Sequence, residues 1–343
     1  MRAINFVRHH SLVSKATYRS VTTYFFSHPL CEAHHIPDHP ESPGRLRSIE
    51  AAMSTKEFAA LQRKLPNMAR RDQLLLAHTQ AHVDHVLALC GDADESGDMQ
   101  HVDMDTCIGP GSGTAALLAA GAVCDAIDAV AQGDAVNAFV AVRPPGHHAE
   151  ADRAMGFCLF NNVAVGALHA LSKWSAKAPR IERVAIVDID VHHGNGTQDI
   201  AWKRRDLFFA STHQGRFYPG TGHTSERGEW QNILNVPLAS GCASTEWRKA
   251  YRDRVLPAVE SYAPDLLLVS AGFDAHARDP LAQLELQSED FAWVAQELKR
   301  VATRVCCGRM VCVLEGGYHE EALAASVAAM VREMMVPVFH SPC

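Results

Sequence analysis

The stretch Arg183–Gly196, RVAIVDIDVHHGNG, constrains this chain more than any other. It opens as an apolar, β-branched run, Val184-Ala185-Ile186-Val187, with no polar alternation. Such a run reads as a strand buried on both faces of a parallel sheet. It then turns polar, with Asp188, Asp190, His192 and His193 in quick succession. If the backbone stays extended, positions 188, 190 and 192 face one side. Two carboxylates and an imidazole would then line one face at the strand's carboxyl end. Close-packed anions repel unless a cation lies between them. An Asp/His pair from here with a third carboxylate from elsewhere would make an open three-ligand site of the kind that catalytic zinc prefers. The plainer alternative is a strand that ends in a solvated acidic loop.

Four further segments repeat the pattern. Val136–Val142 is a predicted strand ending in Arg143-Pro-Pro-Gly-His147-His148. Leu266–Val269 ends in Ser270-Ala-Gly-Phe-Asp274, Met310–Leu314 ends in Glu315-Gly316-Gly317-Tyr318, and a short strand Leu207–Ala210 ends in Ser211-Thr212-His213. Helices are predicted near Leu46–Met53 and over Asp72–Leu89, Gly113–Ala131, Phe157–Trp174, Glu289–Val305 and Glu320–Met335. Tyr24-Phe25-Phe26 reads as an edge strand, and 91–105 as a polar loop. Strands alternating with helices indicate an α/β fold with a parallel sheet. Ligands of such sheets bind outside the carboxyl ends of the strands, so the polar motifs should meet in one crevice. His78, His82 and His85 share a helical spacing, but no carboxylate accompanies them, and they are read as ordinary helix surface.

Composition narrows the class. The chain has 343 residues and a formal net charge of −7, with acids and bases interspersed. No Pro/Gly/Ser-rich linker divides it, so one large domain is expected. A clustered basic face is missing, which argues against nucleic acid as a partner. No apolar run approaches the ~18 residues of a membrane span, so no membrane partner is expected. The ten cysteines lack CxxC spacing and are read as reduced thiols of an intracellular, cytoplasmic enzyme. The N-terminus differs: Arg2, Arg8, Lys15 and Arg19 occur with several serines, and no acid precedes Glu32. This pattern fits a mitochondrial or plastid transit peptide, or a basic disordered tail. Residues 1–22 are therefore set aside, and 23–343 are read as the catalytic domain.

Asp190, His192 and Asp274 make the best metal set, and their N/O character suits Zn²⁺, with Fe²⁺ compatible. His147 and His148 follow a rigid Pro-Pro-Gly turn and could serve as general base and general acid. Asp188 is the natural partner of one of them. Tyr318 could donate a hydrogen bond to a developing oxyanion. Together these residues describe metal-assisted attack of water on an amide carbonyl.

RPPGHH (143–148), GFCLFNN (156–162), DIDVHHGNGTQ (188–198), SAGFDA (270–275) and LEGGYH (314–319) resemble the zinc-dependent histone deacetylase superfamily, including its class II-like members and the acetylpolyamine amidohydrolases. The resemblance spans roughly residues 24–335. It implies the arginase/deacetylase α/β fold, a central parallel sheet of about eight strands with helices on both faces. It implies zinc at Asp190, His192 and Asp274, catalytic His147, His148 and Tyr318, and partners Asp188 and Asn195 for the two histidines. It further implies a structural K⁺ bound through Asp188, Asp190, His192, Ser211 and Thr212. Gly156, Phe157 and Tyr218 would line an acyl-lysine tunnel, with Gly316 and Gly317 beside it, and Arg45 would lie on an internal channel. The substrate would be acylated lysine in protein or peptide, or a small acetylated amine, and a homo-oligomer is compatible. Two positions depart from many relatives. Asn195 stands where class I enzymes carry Asp, and Tyr218 where many carry Phe. Leu281 follows Asp279-Pro280 where polyamine-selective members can carry Glu, which favours acyl-lysine. An arginase-like ureohydrolase would need a richer ligand set for two metals. An inactive acyl-lysine binding module would be expected to lack one of these residues.

Overall fold

The computed structural model describes residues 22–337. In chain order its elements begin with β1 (Thr23–Phe26), α1 (Pro43–Met53), β2 (Gln62–Lys64), α2 (Arg71–Leu74) and α3 (Gln80–Ser96). A small antiparallel pair follows, β3 (Gln100–His101) and β4 (Cys107–Ile108), and then α4 (Ser112–Gln132), β5 (Asn137–Val140) and α5 (Asn162–Trp174). Next come β6 (Val184–Asp188), α6 (Asn195–Ala201), β7 (Leu207–Gln214), β8 (Ile233–Leu238), α7 (Ser244–Ala250) and α8 (Leu256–Tyr262). The chain closes with β9 (Leu266–Ala271), α9 (Ser288–Val305), β10 (Met310–Leu314) and α10 (Glu320–Met335).

Eight strands form one sheet in the order β2-β1-β5-β10-β9-β6-β7-β8, with every pairing parallel. Every residue of β5, β6, β7, β9 and β10 is buried, as the apolar runs required, and in β7 the burial extends through the polar Ser211-Thr212-His213-Gln214. The four strands that carry the RPPGHH, DIDVHH, SAGFDA and EGGY motifs are β5, β10, β9 and β6, which lie side by side in the middle of the sheet. In their register Asp188 stands opposite Ser270, and Leu314 opposite Ala271. The expected convergence at one edge follows directly.

Several expectations change. β1 is interior, flanked by β2 and β5; the edge is the polar β2, whose Gln62-Arg63-Lys64 carries no apolar signal. Charged residues on an edge strand discourage pairing with other chains. The other edge, β8, contains Pro237, which a central strand would not tolerate. The helix expected over 72–89 breaks after Leu74, and a new one starts at Gln80, its N-terminus capped by the Thr79 hydroxyl on the His82 amide. That second helix runs to Ser96, into the stretch read as loop. The helix expected from Phe157 starts at Asn162, because Asn161 caps it and Phe157 has a left-handed backbone. The strand of the opening stretch ends at Asp188 rather than Asp190. α4 is long and apolar enough to cross a membrane by length and composition, contrary to the reading above, but four-fifths of that stretch is buried within the fold. Eight cysteines among the described residues are free thiols, as expected, whereas Cys307, in the turn after α9, is disulfide-bonded. The proposed basic tail or transit peptide lies outside the described residues, apart from Thr22.

Candidate active site

Beyond Asp188 the chain leaves the strand and curls through its own side chains. The Asp188 carboxylate accepts the amide of Asp190 at 3.1 Å, and that of Asp190 accepts the amide of His192 at 2.8 Å. Each Asp thus holds the backbone two residues on, a local turn that these residues favour. The extended placement of 188, 190 and 192 is replaced by this curl, which still delivers Asp190 and His192 to one point. Asp274 arrives from the loop after β9, with its Oδ1 accepting the Val191 amide at 2.9 Å.

Asp190, His192 and Asp274 come together fully buried or nearly so, with candidate ligand atoms all within 4.8 Å of one another. His192 Nδ1 lies 3.1 Å from Asp190 and 3.2 Å from Asp274. Space for the two carboxylates depends on Gly316. A Cβ there would fall 2.1 Å from an Asp274 oxygen, while the Gly316 amide donates to Asp190 at 2.9 Å. Electrostatics identify what the cluster lacks. Burial and the Asp190 charge push Asp274 up to about 7. Burial opposes a charge on His192, but its bonds to Asp190 and Asp274 outweigh that and raise it to about 10. The group takes up protons because it is short of positive charge. Two oxygens and one nitrogen around that deficit fit a divalent cation of borderline hardness.

The two adjacent histidines have their rings 4.0 Å apart. His147 Nδ1 donates to Asp188 at 3.0 Å, and its Nε2 lies 3.9 Å from Asp190. Burial disfavours its charge, but Asp190 and Asp188 outweigh burial and hold it well above the usual range. His148 Nδ1 meets Asn195 Oδ1 at 2.8 Å, and burial, with the charges of His147 and His192, drives it well below that range. Glu315, buried behind them, accepts the amides of Gly146 and His147 and is pushed up to about 7 by burial.

The walls follow. The Tyr218 ring stands edge-on to His148 at 5.1 Å, Phe157 stands edge-on to Tyr318 at 5.9 Å, and Phe217 stacks on His192 at 5.4 Å. Gly156 has φ 57°, and a Cβ there would strike the His148 ring at 2.5 Å, so its place is fixed by both backbone and space. Burial and then the Asp274 charge raise Tyr318, keeping its phenol protonated. Arg45 is completely buried. It donates to the carbonyls of Gly317 at 2.6 Å and Glu315 at 2.5 Å and to Glu41 at 2.8 Å, so it braces the Gly316-Gly317-Tyr318 turn. Leu281 is partly exposed, and its amide is held by Asp279 at 3.0 Å. Ser211 and Thr212 lie on β7, where Ser211 pairs with Asp188 across the strands.

Sequence reasoning missed five contributors. Glu41 joins Arg45 and Arg143 in a buried network, and Arg143 and Arg45 outweigh burial to hold it down at about 2. Its i,i+4 spacing to Arg45 was the available signal. Asp279 accepts the Tyr318 amide at 2.7 Å; an Asp before Pro was the signal. Phe217, Glu315 and Glu150 gave none beyond proximity to motifs. His78 and His82, read as helix surface, are instead buried. His78 receives the Asn161 amide at Nε2 (2.9 Å) and donates from Nδ1 to the Glu150 carbonyl (3.0 Å), while His82 donates to the Leu159 carbonyl at 2.9 Å. Both hold the loop between the two histidines and α5. His85 is exposed, as expected.

Comparison with known proteins agrees with this geometry. The model of the histone deacetylase domain matches residues 39–334. The histone deacetylase-like amidohydrolase of Pseudomonas aeruginosa is 39% identical over 86% of this chain and 77% of its own length. Histone deacetylase 14, chloroplastic, of Arabidopsis thaliana is 37% identical over 88% of this chain and 74% of its own. The crystal structure of the HDA15 HD domain superposes with a TM-score of 0.85 at 33% identity, covering 93% of this chain and 91% of that one. The fold is accordingly the arginase/deacetylase type, and the chain belongs to the histone deacetylase family.

Proposed function

We propose that this protein is a metal-dependent amide hydrolase that removes acetyl or related acyl groups from lysine side chains. The observation that carries the reading is the meeting of Asp190, His192 and Asp274 within 4.8 Å, beside the paired rings of His147 and His148. Asp190, His192 and Asp274 would hold the cation, zinc by preference, which when bound polarises a carbonyl and acidifies water. With a cation offsetting the Asp190 charge that otherwise keeps the ring protonated, His147, its Nδ1 proton held by Asp188, would present a free Nε2 to take a proton from the attacking water. His148 rests neutral with its Nε2 lone pair free, so it would first take up a proton at Nε2 and then return it to the leaving amine. Tyr318 donates its phenolic hydrogen bond to the oxyanion. Phe157 and Tyr218 are the tunnel walls, and Gly156 lets His148 approach them. A structural K⁺ near Asp188, Ser211 and Thr212 would offset buried negative charge. The names of two relatives, an amidohydrolase and a deacetylase, support the reaction class. The second of these is named chloroplastic, which favours a plastid over the cytoplasm as the place to look first.

Leu281 at the rim offers apolar contact and no charge for a distal ammonium, so acetyl-lysine peptides should be preferred over N8-acetylspermidine. The test compares kcat/KM for both, with and without chelator. The reading predicts chelator-sensitive activity and preference for the peptide. Leu281→Glu should move the ratio toward the polyamine by about tenfold, the scale of one partly desolvated charge pair. A wild-type preference for acetylspermidine of tenfold or more would overturn the substrate assignment, and chelator-insensitive activity would overturn the metal.

A further inference from the structure

The Asn195 side chain bonds differently on its two sides. Oδ1 accepts from His148 Nδ1 at 2.8 Å. Nδ2 donates to Glu150 Oε1 at 2.7 Å and lies 3.3 Å from both the His148 carbonyl and the Met155 sulfur. Glu150 is gripped in turn by Arg153, whose Nη2 reaches its two oxygens at 2.9 and 3.0 Å. The Glu150 backbone is fixed from below by buried His78.

An amide has two orientations that differ only in which atom faces which neighbour. Turned over, Asn195 would press Oδ1 against the Glu150 carboxylate, acceptor against acceptor. It would also aim NH₂ at His148 Nδ1, which could then bond only by giving up its hydrogen. The ring proton would move to Nε2, and that nitrogen could no longer accept one. We propose that Glu150 is a positioning residue for the amide hydrolysis inferred above. It locks the orientation of the Asn195 amide and, through it, the Nδ1–H tautomer of His148. The Nε2 lone pair is thereby left available for proton exchange. The same contact accounts for an amide at 195. An aspartate there would set two carboxylates 2.7 Å apart at the position now held by a donor and an acceptor.

Glu150 is about a quarter exposed and Arg153 more than half, so substitution at 150 leaves the core untouched. In the metal-loaded enzyme, Glu150→Ala should lower kcat on an acetyl-lysine peptide by about tenfold, the size of a typical coupling between contacting groups, with KM unchanged. Asn195→Asp should lose about as much in the native background, and Asn195→Asp combined with Glu150→Gln should recover to within about threefold of the parent. A simple packing role predicts additive losses instead. Independently of activity, nitrogen-15 spectra of histidine-labelled protein, with His148 assigned by His148→Gln, should show the Nδ1–H form in the parent. In Glu150→Ala they should show a mixture or the Nε2–H form. An unchanged tautomer, or equal effects of Asn195→Asp in both backgrounds, would overturn the proposal. A parent inactive on amides but with the predicted tautomer shift would overturn the reaction and leave the positioning role standing.

Discussion

His147 and His148 are neighbours in sequence, yet different parts of the molecule hold them. His147 rests on Asp188, the last residue of a central strand, amid fully buried carboxylates. His148 rests on Asn195, which leans on half-buried Glu150 in a loop that His78 and His82 tie down. One ring is pulled toward its charged form and the other pushed away from it. A sheet-end carboxylate can stabilise an imidazolium, whereas a neutral amide fixes only orientation. The difference sets the two rings apart: His147 needs a bound cation to offset its carboxylates before it can gather a proton, and His148 must take one up at Nε2 before it can return it.

The sharpest way to break this comparison is to neutralise the carboxylate side. Asp188→Asn should lower kcat by about a hundredfold or more, as loss of a histidine-orienting carboxylate does elsewhere. Asn195→Ala should cost only about tenfold, the size of a typical coupling between contacting groups. Equal losses, measured by steady-state kinetics at matched metal content, would erase the asymmetry. Next in size, Tyr318→Phe should lower kcat by about a hundredfold with KM little changed, as removal of one oxyanion donor does. An unchanged kcat would reassign Tyr318 to packing against Phe157 and Arg45.

The smallest effect concerns stability on the loop side. His78 is buried and neutral, pushed down to about 3 by burial and by His82. The unfolded chain takes up a proton near the ordinary value of 6.5, and the folded chain does so only near 3. This contribution to stability is therefore complete above about pH 6.5 and is lost as pH falls through that window. Thermal melts of His78→Asn between pH 7 and 4 should show a shallower loss with acid than the parent, with an overall cost of about 1–3 kcal/mol for two orphaned backbone groups. Identical slopes would place the acid sensitivity elsewhere, with buried His34 the next candidate.

The same contrast explains what the sequence disclosed. The sheet side was legible because apolar runs ending in Gly with Asp, His or Tyr carry both the strand and its chemistry in a few contiguous residues. Asp190, His192 and Asp274 were named from that pattern, and the structure brings them together. The loop side was not legible. The Glu150 carboxylate acts through a bond to Asn195, distant in sequence, and nothing local distinguishes His78 from a helix-surface histidine. β2 escaped because an edge strand need not be apolar, and β8 because Asn235 and Pro237 interrupt its apolar run.

The central claim is one catalytic cation at Asp190, His192 and Asp274. The direct test is titration of metal-stripped protein with zinc while acetate release from an acetyl-lysine peptide is measured. Activity should rise linearly and saturate at one equivalent in the parent, and Asp274→Asn should neither bind that equivalent nor turn over. Full activity without metal, or saturation only at two equivalents, would contradict the account.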